Sequence, residues 1–229
     1  MQEQAQRHNT RSFLFLDLKL NSRPDMIRGI AAGLGRLVQG AEWVGTVHVD
    51  QRRDNGLSAA DLNRASEGGM RRISFGLETG SQRLLDLMRK GSTVERNAAF
   101  IRDAHNAGLS IRCTMFKGFP GETTDDMTAT ADFLERHAEY LDRVRFNDFS
   151  LQIGTPIWKA MRDKTRLDPA STDDILVLQQ DDRRARSAYR HSQARDRAYR
   201  RAKARALAVV YAINRRPLRN SARQFDGLM

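Results

Sequence analysis

Two carboxylates stand out because glycines flank them. Glu78 sits in Gly76-Leu77-Glu78-Thr79-Gly80-Ser81, and Glu122 ends Lys117-Gly118-Phe119-Pro120-Gly121-Glu122 just before Thr123. Each segment follows a strand-like run and precedes a helix pattern, so each carboxylate would stand at a strand tip where small neighbours let a ligand reach the backbone. A carboxylate so placed accepts hydrogen bonds from hydroxyl or ammonium donors, while Ser81 adds a hydroxyl and helix-start amides suited to an anion. Pro120 fixes the second turn. The plainer alternative for Glu78 is a strand-end turn paired with a neighbouring arginine. Asp17, Lys19 and Asn21 follow the two-residue period of a strand and share one face, which would either point into a site or be the solvated face of an edge strand with Asn21 as a turn former. His48 and Asp50 are two residues apart on another strand pattern, so both could reach one face as a general acid/base pair. Gln152 stands in a tight turn, Gln152-Ile153-Gly154-Thr155-Pro156.

The elements that must position these groups alternate. Strand patterns fall at 13–20, 43–49, 72–77, 110–117 and 144–151, with helix patterns at 25–38, 59–67, 82–89, 94–106 and 124–140 between them. That alternation predicts repeated βα units and a parallel sheet, with function at the carboxyl ends of the strands. Gly91 and Gly108 are helix stops, Lys90 reads as a basic helix end favoured by the helix dipole, and Ser22/Asp25, Ser58/Asp61, Ser92/Glu95 and Thr123/Asp126 have capping-box spacing. On this reading Glu78 and Glu122 face a shared cavity at one rim of a curved sheet.

Composition narrows the class. The chain has 229 residues, 40% hydrophobic and 29% charged, with one cysteine, Cys113. It has no apolar run near the ~20 residues that span a bilayer, and its polar start, MQEQAQRHNT, does not read as a secretory signal, so no membrane association and a cytoplasmic location are expected. A single cysteine excludes an internal disulfide and any multi-cysteine metal site from this chain alone. Neither His48 nor His105 has a partner at metal-ligand spacing.

The loops together resemble the later part of the radical S-adenosylmethionine (radical SAM) core, in the branch associated with cobalamin-binding domains. The likeness rests on Asp17–Asn21, GLETGSQRLLDLMRKG at 76–91, HNAGLSIRCTMFKGFPGETTDDMTAT at 105–130 and GTPIW at 154–158, and it covers about residues 13–160. It implies a partial (β/α) barrel, an incomplete form of a six-stranded one. It also implies SAM bound to a four-iron four-sulfur cluster, whose reductive cleavage yields a 5′-deoxyadenosyl radical that abstracts hydrogen. By position, Glu78, Thr79 and Ser81 resemble the motif that meets the ribose and methionine part of SAM. Gly118, Gly121 and Glu122 resemble the motif that shapes the adenine site, and Asp17 and Asn21 the segment near SAM or substrate. The family's C-x-x-x-C-x-x-C loop and the strand before it are missing. The chain is therefore either a piece of a longer protein, whose upstream part holds those cysteines and a cobalamin domain, or a decayed homologue. The intact loops favour the first. No residue identifies the small-molecule substrate.

The formal net charge of +11 is concentrated: 14 basic and four acidic residues lie in 181–229, leaving +1 on the first 180. The expected organisation is a flexible lead (1–12), the partial barrel (13–165) and a basic helical tail (166–229), with a long helix from about Asp181. Arg197, Arg201 and Arg205 form one stripe, and Tyr199, Ala202, Ala206, Val209 and Ile213 an apolar seam that would dock on the barrel or on a partner. Tyrosines 189, 199 and 211 interleave with arginines as nucleic-acid contact would require. The competing function is thus a non-catalytic module whose arginine-rich tail binds nucleic acid or another acidic partner.

Overall fold

The computed structural model describes residues 1–163, 174–177 and 186–227. Its main sheet holds β1 (Ser12–Leu14), β2 (Glu42–Val47), β3 (Met70–Glu78), β4 (Ser110–Lys117) and β5 (Arg143–Asp148), all parallel and in sequential order. Sequential order has a geometric consequence. Right-handed crossovers between neighbouring strands put every connecting helix on one face, and the sheet curls so that the other face becomes the inside of a half-barrel. The connecting helices are α2 (Pro24–Leu37), α3 (Ala59–Glu67), α4 (Gln82–Leu87), α5 (Val94–Asn106) and α6 (Thr124–His137). Strand alternation matches. Ile73, Phe75 and Leu77 of β3 and Ile111, Cys113 and Met115 of β4 belong to the core under the helices, which leaves Arg72, Ser74, Gly76, Arg112 and Thr114 for the concave face.

Capping follows sequence at some helix starts and departs at others. Ser58 with Asp61 and Thr123 with Asp126 form capping boxes on α3 and α6. Ser22 does not cap α2, whose N-cap is Arg23, and α5 is capped by Thr93 rather than Ser92. The first strand is shorter than its apolar run suggested. After Leu14 the chain leaves the sheet, Leu16 and Leu18 are 69% and 90% exposed, and a 3-10 turn at Leu20–Ser22 follows. Asp17, Lys19 and Asn21 therefore do not share a strand face. The lead expected to be flexible contains α1 (Gln2–His8), with Ala5 packed against the core.

Beyond β5 the tail departs further from expectation. β6 (Leu151–Gln152) precedes α7 (Pro156–Arg162), and β6, β8 (Arg186–Arg190) and β7 (Ile175–Val177) form a small antiparallel sheet in that order. The long helix expected from Asp181 begins only at α8 (Arg197–Arg215), where Asp196 accepts the Tyr199 amide at 2.7 Å. Residues 181–185 of that expectation lie outside the described residues. The backbone at 186–190 extends because both flanking strands offer it ladder partners, and such pairing overrides helix propensity.

Helix α8 docks on its own barrel, against α6 and β5. Its buried seam is Tyr199, Ala202, Ala206, Val210 and Ile213, with Val210 in the place expected of Val209, which is only partly buried. The side-chain amide of Asn214 donates to the Val144 carbonyl at 2.9 Å and accepts the Val144 amide at 2.8 Å, so it covers the outer edge of β5 as another strand would. A 3-10 segment, Asn220–Phe225, then crosses the amino-terminal ends of the strands. Gln224 accepts from Ser12 at 3.0 Å and donates to Glu42, while the Phe225 carbonyl accepts from Arg72 at 2.6 Å.

Candidate functional site

Glu78 closes β3 with φ of 64°, a left-handed conformation uncommon for a residue with a side chain. The register with β4 shifts between Gly76 and Glu78, an irregularity of the kind that re-aims a side chain. The carboxylate folds back over Gly76, where a Cβ would lie 2.3 Å from Glu78 Oε1. Gly76 thus makes room for Glu78 itself. Lys90, expected only to end a helix, places its Nζ 2.7 Å from Oε1, and the Glu78 side chain is 8% exposed. Glu78 Oε2 is buried without a hydrogen-bond partner among the described residues. His48 lies within electrostatic reach, its pKa lowered by burial and by Lys19 and Lys90, with Asp50 and Glu78 opposing. Asp50 is not available as its acid/base partner. Although burial alone would raise its pKa, bonds from Arg52 and Lys19, both at 3.0 Å, hold it well below the ordinary carboxylate range.

The rest of the GLETGS segment ties helices together. Thr79 Oγ1 and Thr130 Oγ1 are 2.9 Å apart, and Thr130 accepts the Gly80 amide at 3.1 Å. A Cβ on Gly80 would meet Phe133 Cβ at 2.6 Å and Thr130 Cα at 2.8 Å, so this glycine serves the approach of α6 rather than of a ligand. Ser81 caps α4 and donates to Asp126 at 2.5 Å. Burial works against the Asp126 charge, yet bonds from Arg83, Ser81 and Thr123 keep its pKa below the usual value.

Glu122 is almost wholly enclosed. Burial pushes its carboxyl up to about 7, against the bonds it accepts from Tyr199 Oη at 2.6 Å and the Gly118 amide at 2.5 Å. Tyr189 donates to the Gly118 carbonyl, and Gly121 donates its amide to Asp174 at 2.7 Å. A cavity of about 500 Å³ opens here, lined among others by Lys117, Phe149, Tyr189, His191, Tyr199 and Lys203. Among the described residues Glu78 and Glu122 have no hydrogen-bond or ion-pair partner in common; one faces Lys90, the other α8. The cavity beside Glu122 does not include Glu78 among its described lining residues. Asn21 is fully buried and bonds His48 O at 2.7 Å, Asn55 O at 2.8 Å and the His48 amide at 2.9 Å, latching two loops, while Asp17 is exposed. Gln152 Nε2 donates to Ser150 at 3.3 Å.

Cys113 is buried in β4 and burial raises its thiol pKa strongly, so it is a packing residue. One thiol of this kind does not fit a four-iron cluster, which several thiolates must ligate.

Comparison with known proteins gives a consistent result. Residues 46–134 match the sequence model of the Radical SAM superfamily. An uncharacterized methyltransferase of Pyrococcus horikoshii is 30% identical over 93 residues, 41% of this chain and 20% of that protein. The ribosomal protein uS12 methylthiotransferase RimO of Flavobacterium johnsoniae is 27% identical over 123 residues, 52% of this chain and 27% of its own length. The chain thus spans about a quarter or less of these relatives. In fold it is similar to the radical SAM methyltransferase TsrM of Kitasatospora setae, solved with cobalamin and a [4Fe-4S] cluster, with a TM-score of 0.59 at 16% identity over 79% of this chain and 35% of that one. It is also similar to the cobalamin-dependent radical enzyme OxsB, with a TM-score of 0.52 at 19% identity over 71% and 24%. Residues 46–134 are thus similar in sequence to the Radical SAM superfamily, and the curled parallel sheet is similar in fold to the partial barrels of these solved radical SAM enzymes.

Proposed function

We propose that this chain is the SAM-binding part of a radical SAM enzyme, with Glu78 as the carboxylate that meets SAM. The observation that carries this reading is the buried, partnerless Glu78 Oε2 at the carboxyl end of β3. Leaving such an oxygen without a donor is costly, and a ligand hydroxyl or ammonium group removes that cost. Ribose hydroxyls and the amino group of SAM are donors of this kind. Lys90 orients the carboxylate through Oε1, and Thr79, Gly80 and Ser81 fix the turn by anchoring it to α6. Gly118, Gly121 and Glu122 shape the next strand end, and Asn21 holds the loop beside His48. Together with a four-iron cluster, SAM supplies hydrogen abstraction by a radical in this family. The thiolates for that cluster would come from sequence other than this chain, as would a cobalamin domain. The names of the relatives suggest transfer of a methyl or methylthio group; the acceptor is open.

Calorimetric titration with SAM tests the reading. The chain should bind SAM weakly, and Glu78→Gln should weaken binding about tenfold or more, with the fold intact by circular dichroism. Equal binding by both proteins would remove Glu78 from the role. Anaerobic reconstitution should give no iron–sulfur absorption, and a four-iron cluster formed by this polypeptide alone would contradict the cysteine argument.

A second reading has its own observation. Arg190, Arg195, Arg197, Arg200 and Arg201 are exposed and make no ion pair among the described residues, unlike Arg205, which pairs with Asp132 and Glu135. An unneutralised patch suits a polyanion such as RNA. Mobility shifts that weaken steeply with salt would support it, since released counterions set that slope; no shift at low salt would end it.

No helix among the described residues is long and apolar enough to cross a membrane.

A further inference from the structure

The concave face carries a second polar region, at the opposite end of the strands from Glu78. Arg72 of β3 and Arg112 of β4 are 2% and 8% exposed. Arg143 of β5 lies in register with Arg112, and Arg145 with Thr114. These four arginines, with Val144, Asn214, Asp226 and Gly227, line a cavity of about 260 Å³. At ~30 Å³ per water that is room for roughly eight or nine waters, enough for a small oxyanion with part of its hydration. Asp226 is the one carboxylate among the described lining residues; it lies 3.3 Å from Arg143, and its side chain is 53% exposed.

We infer that this arginine-lined cavity at the amino ends of β3–β5 is a binding site for an oxyanion, a phosphate or carboxylate group carried by a substrate or effector. Guanidinium groups match such groups in a planar, bidentate geometry and are less strongly hydrated than ammonium, which makes arginine the residue of choice where the charge is withdrawn from water. The scaffold is already organised. Arg72 is fixed by the Phe225 carbonyl at 2.6 Å, and Arg143 by the carbonyls of Asp142 at 2.8 Å and Arg216 at 3.1 Å. Arg145 is exposed on the open side, where it can close on an incoming group. The clustered positive charge acts on the arginines themselves: burial first, then Arg145 and Arg72, lower the Arg112 pKa to about 10. The site is independent of SAM binding, because its residues are separate from Glu78 and Lys90.

The test is thermal unfolding and calorimetry of the 229-residue chain with inorganic phosphate, with acetate, and with chloride at equal ionic strength. Phosphate or acetate should raise the melting temperature saturably where chloride does not, and whichever is more effective identifies the group recognised. Arg145→Gln should leave the unliganded melting temperature unchanged and weaken that ligand about tenfold or more. Arg201→Gln, on the exposed face of α8, should leave binding intact. Equal shifts with all three salts would overturn the proposal. So would loss of binding in Arg201→Gln with retention in Arg145→Gln, which would place the anion on α8.

Discussion

The two ends of the half-barrel treat charge in opposite ways. At the carboxyl rim Glu78 and Glu122 are each buried with one oxygen engaged, by Lys90 or by Tyr199 and Gly118, and one oxygen without a donor. At the amino end guanidinium groups gather around a cavity and the 3-10 segment at 220–225 crosses beside them. The rim is short of donors; the amino end is rich in them. A single curled sheet therefore offers two chemically distinct places, and each asks for a complementary ligand group.

The largest expected effect that would sharpen this contrast concerns Glu122. Its folded pKa of about 7 lies above the ordinary 4.5, so the folded state holds the proton more tightly. That contribution to stability is fully present below about pH 4.5 and is lost as pH rises through about 7, an effect on the order of 3 kcal/mol for a shift of this size. Urea denaturation of wild type and Glu122→Gln from pH 4 to 8 should show a difference that changes across this window. The lowered pKa values of His48, His137 and His191 act in the opposite sense over acidic pH, and the comparison with Glu122→Gln cancels them. A constant difference would mean that Glu122 does not titrate there.

Next in size is Lys90→Gln. It leaves Glu78 buried without its counter-charge and should cost about 2 kcal/mol, less than a fully buried pair because Lys90 is itself 36% exposed. Adding Glu78→Gln should restore much of the loss, and a double-mutant cycle that proves additive would break the proposed link between the two residues. Asn214→Ala should cost about 1–2 kcal/mol in equilibrium unfolding, because it removes both bonds to Val144. Arg205→Ala should be smallest, with no shift in melting temperature beyond error, since its bonds to Asp132 and Glu135 are solvent-exposed. A marked loss there would give the surface of α8 an importance that the buried seam is expected to hold alone.

Much of the sheet was legible because its signals are local. Helices at 59–67 and 94–106 and the strand at 110–117 occupy the spans their patterns indicated. The strand at 13–20 was misread because an apolar run of Phe and Leu does not say whether a neighbouring strand continues beside it; past Leu14 the chain turns, and two leucines face solvent. The rim carboxylates were legible through their glycines, but the reason for those glycines was not. Gly80 answers to α6, a contact across 50 residues. The Lys90–Glu78 pair and the Tyr199–Glu122 bond join positions that no periodicity relates, the latter across 77 residues. The arginines of the amino end did carry a signal on β5, where Arg143 and Arg145 alternate with Val144 and Phe146, but only the sheet order shows that three strands bring them and Arg72 and Arg112 to one cavity.

The bond from Ser12 to Gln224 joins residues 212 positions apart. A contact of that span forms only after a large loop has closed, which makes it entropically late and slow. The first strand is therefore secured by chain that leaves the ribosome long after it. Until then a three-residue strand with two solvent-facing leucines beside it must stay soluble without its clasp, and this interval is where misassembly or chaperone capture would concentrate.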